Sequence, residues 1–101
     1  MSEHISKQCT CADIKICPKN DQSGIVISAE LPGVKKKDIE LDIASNSFCV
    51  AGERNDLKYD CCYHLPWDVD PEKSDAHFDN GLLTVSVPFK QPIRGERIKI
   101  H

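Results

Sequence analysis

The six cysteines are the side chains best suited to chemistry, because thiolates bind zinc and take part in redox reactions. Structural zinc sites usually pair cysteines that are separated by about two to four residues. No two cysteines here have that spacing: Cys9 and Cys11 are separated by one residue, and Cys61 directly precedes Cys62. We therefore predict no metal site and no cofactor.

A structural role is the simpler interpretation of these thiols. Neighbouring residues of a strand point to opposite faces, so only one of Cys61 and Cys62 can face a core. We predict that Cys49 and one of Cys61 or Cys62 pack as small core side chains. A second possibility stays open: on oxidation, Cys9 or Cys11 could link this chain to another one.

The remaining polar residues do not form a catalytic pattern. The sequence has no Gly-x-Ser-x-Gly turn and no glycine-rich phosphate loop. The acidic run between Asp68 and Asp75 lacks the glycine and terminal glutamate of a calcium loop. The four histidines lie apart from any nucleophile: His4, His64, His77 and His101. We predict that the protein is not an enzyme.

Charge and composition exclude two further classes of partner. Thirteen basic and sixteen acidic residues give a net charge of -3, which is not the basic footprint of a nucleic-acid-binding protein. No apolar run approaches the ~20 residues of a membrane helix. The opening residues Met1-Ser-Glu-His do not resemble a secretory signal, so we expect a cytoplasmic protein with reduced cysteines.

Alternating apolar residues indicate the elements that position these side chains. Asn80-Gly81 is a strong signal for a two-residue hairpin turn, and in the segment 83–87 after it Leu83, Val85 and Val87 alternate with two polar residues. Similar short strands, separated by turn residues, recur along the 101 residues, whereas residues 53–60 are mostly polar and are predicted to form a loop. We predict an all-β fold, an antiparallel β-sandwich, in one domain.

Several segments resemble landmarks of the small heat-shock protein (alpha-crystallin) family, and they occur in the family's order. The matching segments are Leu31-Pro32-Gly33, Gly52-Glu53-Arg54, Leu65-Pro66, Ala76-x-x-x-Asn80-Gly81-x-Leu83-x-Val85 and Ile98-x-Ile100. The resemblance implies an immunoglobulin-like sandwich of about seven antiparallel strands over residues 12–89. A flexible arm, residues 1–11, would precede it, and a tail, residues 90–101, would follow it.

The resemblance also implies a function and a site. Members of the family are ATP-independent holdases, which bind partly unfolded client proteins through apolar surface and keep them from aggregating. By analogy, Ile39, Leu41 and Ile43 form one wall of a groove, and Ser74 and Ala76 form the other. Ile98 and Ile100 of the tail would fill this groove in a neighbouring subunit, so self-association is expected. Apolar residues that alternate along a strand are usually buried in the core of the protein. Burial of Ile39, Leu41 and Ile43 in the core therefore stays an alternative to a role in the groove.

Three features depart from the family pattern. Only residues 55–60 separate Arg54 from Cys61, which leaves little room for a strand that swaps into a partner. Cys61 stands where the family usually has an arginine in a contact between subunits. Ser74 replaces an aliphatic groove residue. We therefore expect a monomer or small oligomer with weak holdase activity. The alternative is a CS-type co-chaperone module, which binds a large chaperone or an adaptor rather than clients and has no holdase activity.

Overall fold

Two four-stranded sheets form the computed structural model of this chain, in which residues 8–91 and 98–101 are described. The strands in chain order are β1 (Gln8–Thr10), β2 (Asp13–Pro18), β3 (Gly24–Glu30), β4 (Ile39–Ala44), β5 (Ser47–Arg54), β6 (Leu57–His64), β7 (Asp75–Asp79) and β8 (Leu82–Pro88). Two 3-10 helices, Lys36–Asp38 and Pro71–Lys73, precede β4 and β7. None of the helices in the described ranges is long and apolar enough to cross a membrane.

The strand order is β1-β6-β5-β4 in one sheet and β2-β3-β8-β7 in the other. All neighbours are antiparallel except β1, which runs parallel to β6. This confirms the predicted all-β sandwich. The strand beyond the expected number of about seven is β1, which lies within the segment predicted as a flexible arm.

The core lies between the sheets and follows the period-two pattern of the strands. Its largest side chains are almost completely buried: Phe48, Ile25, Ile27, Leu31, Leu65, Val50, Val69, Val85 and Val87. They come from both sheets and from the connections between them. Among the described residues, no polar or charged side chain is buried. Burial of apolar surface is therefore the main stabilising contribution.

The predicted hairpin joins β7 to β8. Asn80 and Gly81 have φ angles of 49° and 80°, which is the left-handed region that a type I′ turn needs at both central positions. The turn also contacts the end of β3, because the Leu31 amide donates a hydrogen bond of 2.7 Å to the Gly81 carbonyl oxygen. The hairpin thereby fixes where β7, one of the candidate groove strands, lies relative to the core.

The prediction of a loop over residues 53–60 is wrong. β5 continues to Arg54, and β6 starts at Leu57 after a two-residue turn. The segment contains strand residues because only its inward positions need apolar side chains: Tyr59 is buried, whereas Asp60 next to it is exposed. The short connection between β5 and β6 carries no additional strand.

Four of the cysteines form disulfides, so the prediction of reduced cysteines is wrong for them. Cys11 is bonded to Cys61, and Cys49 is bonded to Cys62. Cys9 and Cys17 are free and exposed.

Burial separates the two cysteines of β6, as the strand period requires. Cys61 is buried in the core, which confirms that one of this pair faces inward, and Cys62 is exposed. The predicted core position of Cys49 is wrong. Phe48 and Val50 occupy the inward positions of β5, so Cys49 lies on the outer face, directly opposite Cys62.

Candidate functional site

The candidate groove lies between β4 and β7, which are end strands of different sheets. It is a cavity of about 230 Å³ that opens to solvent. Its lining comprises Leu41, Ile43, Pro71, Ser74, Asp75, Ala76 and Val85. Four of the five residues predicted for the two walls, Leu41, Ile43, Ser74 and Ala76, are thus brought together around one space.

The wall from β4 is apolar because this strand alternates strictly. Leu41 and Ile43 are half-buried, whereas Glu40 and Asp42 between them are exposed. Half-burial combines the two roles that the sequence left open: the side chains pack against the core and still present surface to the groove. Ile39 is also half-buried and packs on the core, but it does not line the groove.

The opposite wall starts at the end of the second 3-10 helix. The Ser74 hydroxyl donates a hydrogen bond of 3.1 Å to the Asp70 carbonyl oxygen. The Asp70 carboxylate in turn accepts a hydrogen bond of 3.2 Å from the Glu72 amide. Because its hydroxyl is already bonded within the chain, Ser74 can border an apolar segment without leaving a polar group unpaired. Ala76, the second residue of β7, is exposed, and its small side chain leaves space in the groove.

Three lining residues were absent from the predicted walls. Val85 is fully buried and lies directly opposite Ala76 in the β7–β8 ladder, so the hairpin register could have located it. Pro71 belongs to the 3-10 helix, and only the folded chain places it beside β4. The exposed Asp75 carboxylate is 2.9 Å from the His77 ring nitrogen, which puts charge at one border of the groove.

The two isoleucines of the tail lie apart from this groove. Ile98 is 75% exposed and Ile100 is 91% exposed. Neither side chain belongs to the groove lining. The tail residues 92–97 lie outside the described residues. Two such exposed isoleucines leave apolar surface that a partner could cover.

A larger hollow of about 510 Å³ lies on the outer face of β4, β5 and β6. Its lining is mainly charged and includes Glu40, Asp42 and Asp60. A surface of this kind does not provide the apolar area that an isoleucine or an unfolded segment would bury. We therefore place the candidate binding site in the smaller groove. No group of three metal-ligating side chains gathers within residues 8–91 and 98–101.

These features define a class: a β-sandwich domain with an apolar groove between the end strands of its two sheets. The sequence pattern of the Hsp20/alpha crystallin family matches residues 17–101, and the chain belongs to that family. Membership supports a chaperone role.

Individual relatives agree with this assignment. The chain is 31% identical over 105 residues to Small heat shock protein C4 of Rickettsia felis, an alignment that covers 84% of this chain and 64% of the relative. The chain thus spans somewhat less than two thirds of that relative's length.

Solved structures show the same fold. Heat shock protein 16.0 from Schizosaccharomyces pombe superposes with a TM-score of 0.72 at 23% identity, covering 91% of this chain and 99% of that one. A small heat-shock protein from Xylella fastidiosa, described as having a distinct high order structure, has a TM-score of 0.68 at 19% identity, with 91% and 97% covered.

Proposed function

We propose that this protein is an ATP-independent holdase that binds partly unfolded proteins and prevents their aggregation. The observation that carries the proposal is the groove beside β4, lined by the half-buried Leu41 and Ile43. β4 is an end strand, so one of its edges has no neighbouring strand in the described part of the sheet. An extended client segment could pair with this edge and place alternate side chains in the groove.

The size of the groove sets the expected strength of binding. Fully burying one isoleucine side chain contributes about 1.5–3 kcal/mol, so a groove that accepts two of them contributes about 3–6 kcal/mol. Association opposes this with a loss of translational and rotational freedom of at least about 4 kcal/mol. We therefore expect weak, reversible binding to each segment. Such binding suits a protein that holds and then releases many different chains.

Suppression of aggregation is the direct test. A client enzyme is heated with equimolar amounts of this protein, without ATP, and light scattering is followed. We expect the scattering to fall by at least about half when client segments are covered. Unchanged scattering would argue for the alternative, a CS-type adaptor module that binds a chaperone partner without holding clients. The short β5–β6 turn, which has no room for a swapped strand, keeps that alternative open.

We further propose that the tail of one copy occupies the groove of another. Ile98 and Ile100 are exposed and are spaced as alternate residues of an extended strand, which places both side chains on the same side. Replacing both with serine should raise the dissociation constant of self-association about 100-fold, because the loss of about 3 kcal/mol of apolar burial corresponds to that factor.

Size-exclusion chromatography with light scattering over a range of concentrations measures this change. Lys99→Ser is the matched control, because it lies between the two isoleucines and leaves both in place. If the double variant associates as strongly as the Lys99→Ser variant, the tail does not mediate self-association.

The domain limits belong to the same proposal: an arm over residues 1–11, the sandwich over residues 12–89 and the tail over residues 90–101. The cytoplasmic location, and the expectation that the protein binds neither nucleic acid nor membranes, stay predictions from the sequence.

A further inference from the structure

The first strand is held at the edge of its sheet by a single covalent bond. β1 has three residues, all exposed, and its neighbour within the described residues is β6. The pairing is parallel and matches Gln8 with Leu57 and Thr10 with Tyr59. The Cys11–Cys61 disulfide follows immediately after this strand.

Main-chain pairing alone gives β1 little stability. A strand of this length forms few ladder bonds, and parallel pairs are somewhat weaker than antiparallel ones. Its exposed side chains add little apolar burial. The disulfide joins residues that are 50 positions apart in the chain, so it keeps β1 close to β6 in a way that the short ladder cannot.

We propose that the Cys11–Cys61 disulfide is a reducible latch, and that its reduction by a dithiol releases β1 from the edge of β6. The proposal is independent of the holdase function. It concerns which main-chain edge of the sandwich is exposed. In the bonded form β1 covers the edge of β6 at Leu57–Tyr59, and release of β1 would expose that edge.

Exposure determines which sulfur reacts first. Cys11 is exposed, whereas Cys61 is 4% exposed. The thiolate of the dithiol attacks the Cys11 sulfur, the Cys11–Cys61 bond breaks, and the Cys61 sulfur leaves with the electron pair and takes up a proton. The second thiol of the reductant then attacks the reductant's first sulfur, which is bonded to Cys11 in the mixed disulfide. The bond between that sulfur and Cys11 breaks, and the Cys11 sulfur leaves with the electron pair and takes up a proton. Two protein thiols and one oxidised reductant result, so atoms and electrons balance.

The second disulfide is a built-in comparison. Cys49 and Cys62 lie directly opposite each other, with Cα atoms 4.0 Å apart, in two strands that already pair over their full length. Breaking this bond leaves the β5–β6 ladder in place. Only reduction of the Cys11–Cys61 bond should therefore change the rate of hydrogen exchange at the β1 amides.

Hydrogen exchange with mass spectrometry tests the latch on the full chain. A Cys9→Ser/Cys17→Ser background prevents exchange between free and bonded cysteines, and peptide mapping first establishes the pairing. On addition of dithiothreitol, we expect amides of residues 8–11 to exchange at least about tenfold faster, whereas β3 and β8 keep their protection.

Two variants in that background separate the disulfides. Cys49→Ser/Cys62→Ser should retain the slow exchange of β1 until reductant is added. Cys11→Ser should show fast exchange from the start, with β3 and β8 still protected. Unchanged exchange of β1 after reduction would overturn the proposal, as would peptide mapping that finds Cys11 and Cys61 as free thiols in air-oxidised protein.

Discussion

Replacing Leu41 with serine is expected to weaken the binding of a tail peptide about tenfold. The peptide spans residues 92–101 of this chain and carries both isoleucines. Leu41 lines the groove directly, and replacing it removes part of an apolar contact worth about 1.5–3 kcal/mol, of which 1.4 kcal/mol corresponds to a factor of ten. Fluorescence anisotropy of the labelled peptide gives the dissociation constant.

The same substitution should reduce protection of a heated client. If tail and client use one groove, then the loss of peptide affinity and the loss of client protection should appear together. Adding the free tail peptide to the native protein should also compete with the client and raise the light scattering. A client that remains protected while the peptide no longer binds would place the client site elsewhere on the molecule.

Glu40→Ser is the matched control for this experiment. Glu40 is adjacent to Leu41 on β4, but its side chain is exposed on the other face of the strand. Because Leu41 also packs on the core, Leu41→Ser should lower the free energy of unfolding by about 1–2 kcal/mol, and thermal melts must show that both variants are folded at the assay temperature. Equal peptide affinity in the two variants would contradict the groove assignment.

The strict alternation of short segments is what made the fold predictable from the sequence. β4 and the segment 83–87 of β8 alternate apolar and polar residues so regularly that their inward faces follow directly from the period of a strand. Asn80-Gly81 added the turn between β7 and β8, because few other residue pairs adopt positive φ at both positions. The segment 53–60 was missed because its turn contains no glycine and its outward residues are charged.

The disulfides depend on the folded chain rather than on local sequence. Six cysteines allow about 15 complete pairings, and the sequence alone does not distinguish among them. Cys11 meets Cys61 only because β1 crosses to the edge of β6, and the three residues of β1 have no strand pattern of their own. By contrast, the outward orientation of Cys49 was predictable from its neighbours Phe48 and Val50, which occupy the inward positions of β5.

The site was predictable to the extent that it follows strand alternation. Leu41 and Ile43 are two residues apart on one strand, so their side chains point to the same face and line the same wall. Ile39 points to the same face but does not line the groove. The sequence does not indicate where the opposite wall ends. Pro71 joins the lining through tertiary packing, which sequence reasoning did not include.

Replacing Gly24 with alanine is expected to lower the free energy of unfolding by about 3 kcal/mol or more, at the upper end of what overpacking costs. Gly24 starts β3 and lies opposite Pro88 of β8. An added Cβ atom would overlap the Val87 carbonyl oxygen and lie 2.7 Å from the Pro88 Cα atom. Both obstacles are main-chain atoms, so relief requires β3 and β8 to move apart where both strands line the core.

Gly52→Ala is the matched comparison, because Gly52 is also a buried strand glycine. Its added Cβ atom would lie 3.1 Å from a methyl group of Val34, a side chain that can shift. We therefore expect a loss of only about 1 kcal/mol at this position. Urea denaturation of both variants measures the difference, and most of a total stability of about 5–15 kcal/mol should survive in Gly52→Ala. If Gly24→Ala unfolds at the same urea concentration as Gly52→Ala, the close approach of β3 to β8 at this end of the sheet is not maintained in solution.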